Sequence, residues 1–173
     1  MTPYHSDDQH HLIDLSALSS ATRNYQLSMP PTTSSSATHR SFYINVCRTL
    51  LPLEGARACP PEAAACMRDE ARNASVSLGR IEEALEVDDQ GRVVMRYTGG
   101  DKCGEGDTYR AVVTFECQRV AGAGNPLLTS EPEACAVEVL WRTALACPPD
   151  DEADSPDNND GFCRAVNPVT GSH

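Results

Sequence analysis

Tyr109-Arg-Ala-Val-Val-Thr-Phe-Glu-Cys-Gln118 decides the fold class. Tyr109, Ala111, Val113, Phe115 and Cys117 fall on one side of an extended chain, and Arg110, Thr114, Glu116 and Gln118 on the other. Side chains of a strand point to opposite faces in turn, so this alternation predicts a strand with one face in a core and one toward water. Working outward, Ala136 to Thr143 repeats the pattern, with Val137, Val139 and Trp141 inward and Glu138 and Arg142 outward. Arg92 to Tyr97 sets Val93, Met95 and Tyr97 against Arg92 and Arg96. Before it, Asp88-Asp-Gln-Gly91 has hairpin-turn chemistry, with Gly91 free to take positive φ. Ser41 to Cys47 is rich in β-branched and aromatic residues, Val76 to Val87 reads as two short strands around Gly79, and His11 to Leu18 alternates briefly before a loop. No stretch sustains a helical period over three turns. The chain is an all-β domain of many short strands, a sandwich or a barrel.

At 173 residues there is room for one core and some tail. The balance of 25 acidic to 14 basic residues, a net charge of −11, argues against a nucleic-acid binder and against docking on anionic membranes. No apolar run is long enough to span a bilayer. Nine aromatics and a 40% hydrophobic fraction make a thin core for this length. The eight cysteines, Cys47, Cys59, Cys66, Cys103, Cys117, Cys135, Cys147 and Cys163, point to where the remaining stability comes from. They contain no C-x2-C pair, and no His lies between Cys59 and Cys147, which speaks against a zinc site. His5, His10, His11, His39 and His173 sit in tail or loop sequence, so no thiol has a partner base. A disulfide framework in an oxidising compartment is what remains. The sequon Asn73-Ala74-Ser75 fits that compartment.

Catalytic readings find little support. Asp88 and Asp89 are adjacent on a turn and point apart, whereas glycosidase acids face each other across a cleft. Ser34-Ser35-Ser36 lacks a nucleophile elbow, and His10-His11 beside Asp7-Asp8 is an opportunistic metal binder at most. No reaction, cofactor or metal is implied. Met1 opens on polar sequence without a charged n-region or an apolar h-region, so a chain this rich in disulfides reads as part of a longer lumenal or extracellular protein. Pro30 to Thr38 reads as a Ser/Thr/Pro loop and Pro52 to Cys66 as a stapled loop. The domain ends near Pro148-Pro149. Residues 150–162 form a linker with six acidic side chains, and ordered-looking sequence resumes at Cys163.

Taken in order, Leu12-Ile-Asp-Leu-Ser-Ala-Leu18, Phe42-Tyr-Ile-Asn-Val-Cys47, Cys59-Pro-Pro-Glu-Ala-Ala-Ala-Cys66, Ser77-Leu-Gly79, Tyr97-Thr-Gly-Gly-Asp-Lys-Cys103, Thr114-Phe-Glu-Cys117 and Leu140-Trp-Arg-Thr-Ala-Leu-Ala-Cys147 resemble the mannose 6-phosphate receptor homology repeat. The resemblance covers residues 12–149, leaving 1–11 as a truncated N-terminal segment and 163–173 as the start of a following repeat. It implies a flattened barrel of two crossed antiparallel sheets, and the bridges Cys59–Cys66, Cys103–Cys135 and Cys117–Cys147. The family's partner for Cys47 precedes the Leu-Ile-Asp-Leu segment, where this chain has Asp7-Asp8-Gln9-His10. Cys47 and Cys163 are therefore expected to be unpaired within the chain, an internal bridge between them being the lesser alternative.

The family's sugar site uses Gln, Arg, Glu and Tyr. Counted from the cysteines, Met67 stands at the Gln position, Tyr109 at the Arg and Val137 at the Tyr, while Glu131 and Glu133 occupy the region of the acid. Arg110 is one residue off, which on a strand turns it to the opposite face. The resemblance thus implies a non-catalytic lumenal repeat of a lysosomal-enzyme sorting receptor, a single-span membrane protein of the trans-Golgi network, endosome and cell surface. Its partners would be neighbouring repeats, with phosphomannosylated hydrolases and insulin-like growth factor II held by other repeats. The alternatives are a ligand-binding module, taking a phosphodiester sugar or a protein on a rim of Met67 and Val76, and a stand-alone secreted enzyme.

Overall fold

The computed structural model describes residues 10–28, 40–53, 58–81, 85–129, 135–147 and 163–168. Its strands in chain order are β1 (His10–Asp14), β2 (Tyr25–Gln26), β3 (Arg40–Ile44), β4 (Ala65–Asp69), β5 (Ala74–Gly79), β6 (Glu86–Val87), β7 (Val93–Tyr97), β8 (Arg110–Cys117), β9 (Pro126–Leu128), β10 (Ala136–Thr143) and β11 (Arg164–Pro168). Among the described residues the only helical pieces are 3-10 turns such as Ser16–Leu18, and no helix is long and apolar enough to cross a membrane.

Three sheets result. One runs β2-β3-β4-β5, the second β6-β7-β8-β10-β9, and β1 pairs with β11 alone. The ladders are antiparallel, as expected, except for one. β8 and β10 lie parallel, Arg110 opposite Ala136 through Cys117 opposite Thr143. A parallel pair needs a crossover of a dozen or more residues. Here residues 118–135 supply it, with β9 on the way back to the outer edge of β10.

The alternation seen in the sequence gives the core directly. Ala111, Val113 and Phe115 of β8 are buried, as are Val137, Val139 and Trp141 of β10 and Val93, Met95 and Tyr97 of β7. They join Phe42, Ile44, Met67 and Leu78 of the four-stranded sheet in one cluster. Cys117, expected inward, is exposed at the end of its strand, where it bonds to Cys147. Trp141 packs edge-on against Tyr25, with ring centroids 4.7 Å apart, and stacks at 5.5 Å on Phe115. Its indole N–H donates to the Ala123 carbonyl at 2.9 Å, so the buried ring leaves no polar atom unpaired.

Four bridges use all eight cysteines: Cys59–Cys66, Cys103–Cys135, Cys117–Cys147 and Cys47–Cys163. The last corrects the expectation of two unpaired thiols. The physical reason is the β1–β11 ladder, in which Asp14 faces Arg164 and His10 faces Pro168. The Leu15 N–H also donates to the Cys163 carbonyl at 2.8 Å. That pairing delivers Cys163 to Cys47, whose Cα lies 5.4 Å away. Arg164–Pro168 thus lies in a ladder with His10–Asp14, in which His10 and His11 are paired. Residues 150–162 lie outside the described residues.

Candidate functional site

The sugar positions of the resemblance fall on β4, the start of β8 and β10. Met67 is the middle residue of β4, between Phe42 of β3 and Val76 of β5. Only 5% of it is exposed. Val137 is 1% exposed and pairs with Ala111 across the parallel ladder. Tyr109 is half-buried and packs against the same apolar cluster. Its N–H donates to the Asp101 carbonyl at 2.8 Å, and its carbonyl accepts from the Gly100 N–H at 3.2 Å. Glu131 and Glu133 lie outside the described residues.

Arg110 is on the outer face, as the one-residue shift requires. It is exposed, its guanidinium 3.3 Å from the Asp107 carboxylate. A sugar hydroxyl must be met by groups that donate and accept. Met67 and Val137 offer neither, so these positions pack as core. As for the Met67–Val76 rim, Met67 is turned into the cluster and only Val76 keeps some surface.

Charge is instead placed at the C-terminal end of β4. Asp69 is mostly buried and lies 3.5 Å from the Arg40 guanidinium and 3.8 Å from that of Arg72. It also accepts from the Ala71 and Arg72 N–H groups, closing the turn that leads into β5. In that turn sits Asn73, exposed, with its backbone at φ 50. The sequon asparagine is thus displayed at a tight surface turn, while the Ser75 hydroxyl donates to the Ala58 carbonyl at 2.9 Å.

Two polar locks escaped the sequence reading. The Asp101 carboxylate accepts from the Ser77 N–H at 2.8 Å while the Asp101 N–H donates to the Ser77 carbonyl at 2.9 Å, joining β5 to the loop before β8. Asn45, fully buried, accepts from the Ser20 and Val46 N–H groups and donates to the Ser20 carbonyl, and its own carbonyl accepts from the Tyr97 hydroxyl at 2.7 Å. Burial pushes the Tyr97 phenol well above its ordinary value, so it stays a neutral donor at any physiological pH. An Asn inside an apolar run was the available signal for the second lock; nothing marked the first.

Outside this region, Asp88 is an ion-paired turn residue. Burial alone would raise its carboxyl, but hydrogen bonds from the Arg92 backbone and guanidinium and the Gln90 N–H outweigh that and hold it below the usual carboxylate range. It does not pair with Asp89 as a catalytic dyad. Among the described residues no group of three or more His, Cys, Asp or Glu is placed to hold a metal ion.

Comparison with known proteins agrees with this architecture. The family described as "Cation-independent mannose-6-phosphate receptor repeat" matches residues 4–104. The human cation-independent mannose-6-phosphate receptor is 34% identical over 131 residues, which is 75% of this chain and 5% of that receptor's length. Domain 11 of the echidna mannose 6-phosphate/IGF2R receptor superposes with a TM-score of 0.60 at 24% identity, covering 84% of this chain and 98% of that domain. Chicken IGF2R domain 11 gives 0.59 at 25% identity, covering 79% and 84%.

Proposed function

The chain belongs to the cation-independent mannose-6-phosphate receptor repeat family, and from that premise we propose that it is a non-catalytic lumenal repeat acting as scaffold and spacer beside ligand-binding repeats. The relatives it matches are receptor repeats rather than enzymes. One observation carries the proposal: apolar side chains, Met67 and Val137, are buried in the core where sugar-binding members place hydrogen-bonding groups. Losing one buried hydrogen-bonding partner commonly costs about 1–3 kcal/mol, and here at least two are gone.

The parent protein in this reading is a cation-independent mannose 6-phosphate/insulin-like growth factor II receptor, cycling between the trans-Golgi network, endosomes and the cell surface. The Cys59-to-Cys66 segment suits its tenth lumenal repeat, beside the one that takes the growth factor. Phosphomannosylated hydrolases and the growth factor would engage other repeats, while this one sets their spacing. The six acids of residues 150–160 would keep a connecting segment extended by mutual repulsion. Asn73, exposed on its turn, is the glycosylation site of this reading.

Passing phosphomannose and insulin-like growth factor II separately over the immobilised chain tests the assignment. Binding weaker than about 1 mM for both supports it. Micromolar or tighter binding of either would overturn it.

A further inference from the structure

The sequon Asn73-Ala74-Ser75 straddles the junction of a turn and a strand. Asn73 is exposed, with a left-handed backbone at φ 50, and its N–H donates to the Glu70 carbonyl at 3.3 Å. Ala74 and Ser75 already belong to β5, opposite Asp69 and Arg68 of β4. The asparagine and the serine therefore do not share one extended stretch of chain. Asp69 holds the turn in this form, its carboxylate accepting from the Ala71 and Arg72 N–H groups.

The serine hydroxyl is engaged as well, donating to the Ala58 carbonyl at 2.9 Å. Ala58 lies in no sheet; what fixes it is the next residue, Cys59, bridged to Cys66 of β4. Cys66 and Arg68 stand two positions apart on β4, so they share a face, and Ser75 pairs with Arg68 on that same face. The bridge thus pins the 58–59 segment over the face of the sheet that carries Ser75. Exposure of Asn73 alone would leave it open to modification at any time. The ladder and the bridge say otherwise. An amide nitrogen is a poor nucleophile, and a sequon serves as an acceptor only when its asparagine and the hydroxyl two residues on are presented together.

We propose that Asn73 accepts a glycan only while β4 and β5 are apart, and that the closed ladder, clamped by Cys59–Cys66, withdraws it from the transferase. This rests on the reading of the chain as a lumenal glycoprotein. In the transfer the Asn73 side-chain nitrogen attacks the anomeric carbon of a polyprenyl-pyrophosphate oligosaccharide. An N–C bond forms and the C–O bond to pyrophosphate breaks, its electron pair leaving with the phosphate. The nitrogen gives one proton to a base of the transferase. The glycan then sits on the exposed turn residue, so β4 and β5 can close behind it.

The test offers the whole chain, made without glycans and refolded with its four bridges, to oligosaccharyltransferase and a lipid-linked oligosaccharide. The same chain, reduced and alkylated, is run beside it, and intact mass follows the transfer. The reduced chain should be modified at least about tenfold faster, because the folded one reacts only through its locally opened fraction. Equal rates would overturn the timing while leaving Asn73 as a site. No transfer to the reduced chain, or transfer that survives Asn73→Gln, would overturn the Asn73 assignment itself. Neither result depends on a substitution within the ladder. Cys59→Ser with Cys66→Ser, refolded with the other bridges intact, should raise transfer to the folded chain about threefold or more. An unchanged rate there would overturn the role of the bridge as clamp.

Discussion

The β4–β5 region differs sharply between its two stretches. Around Met67 and Val76 the ladder is closed, with Met67 buried between its neighbours on β3 and β5. Around Ala64 and Gly79, only a few residues away, the same region opens into a cavity of about 440 Å³. The difference teaches that closure here is local. A methionine shuts one stretch by filling it. At the other, Cys47 takes a left-handed backbone at φ 59 as the chain turns away from β3, beside space that no described side chain fills.

The largest effect should come from the bridge that fixes the open stretch. Cys47–Cys163 closes a loop of 116 residues, and its removal by a double Cys→Ser change should cost about 4–5 kcal/mol in urea unfolding. Cys59–Cys66 spans only 7 residues and should cost about 2–3 kcal/mol when treated likewise. Equal losses would show that loop entropy is not what these bridges contribute. Alkylating the intact, unreduced chain and weighing it should reveal no free thiol.

Next is the sealed stretch. Met67→Gln places an amide among buried hydrocarbon, and thermal unfolding should register a loss of about 1–3 kcal/mol with no gain of phosphomannose binding. A gain of binding without loss of stability would mean that the stretch is less closed than described. Tyr97→Phe should cost a comparable or smaller amount, about 1–2 kcal/mol, because the Asn45 carbonyl loses its donor beneath the open stretch.

The smallest effect lies away from both. Asp88 has its carboxyl lowered in the folded state, so its contribution is present above the unfolded value and fades as pH falls through the folded one. Wild type and Asp88→Asn should therefore differ slightly at pH 7 and converge below about pH 4. A difference that persists undiminished in acid would show that the carboxylate charge is not responsible.

Much of this was legible in the sequence. The alternation in Tyr109–Gln118, Ala136–Thr143 and Arg92–Tyr97 specified the buried face of three core strands, Cys117 apart, since a period of two assigns alternate side chains to opposite sides. The absence of Gln, Arg and Tyr at the positions the resemblance assigns to a sugar needed only side-chain identities counted from cysteines. What failed depended on contacts distant in the chain. β11 has no apolar face strong enough to announce its partner, and its ladder to β1 joins residues more than a hundred positions apart. The parallel pairing of β8 with β10 follows from how the crossover packs, which local pattern does not encode. Nothing in the sequence marks Arg48, because a buried nitrogen without a partner among the described residues is defined by the atoms around it in the fold.

The most direct test of the central claim is a titration of the isotopically labelled chain with mannose 6-phosphate, watching the amides of Met67, Tyr109 and Val137. These signals should stay in place up to about 10 mM sugar phosphate. Saturable movement of all three, with a dissociation constant below about 1 mM, would contradict it.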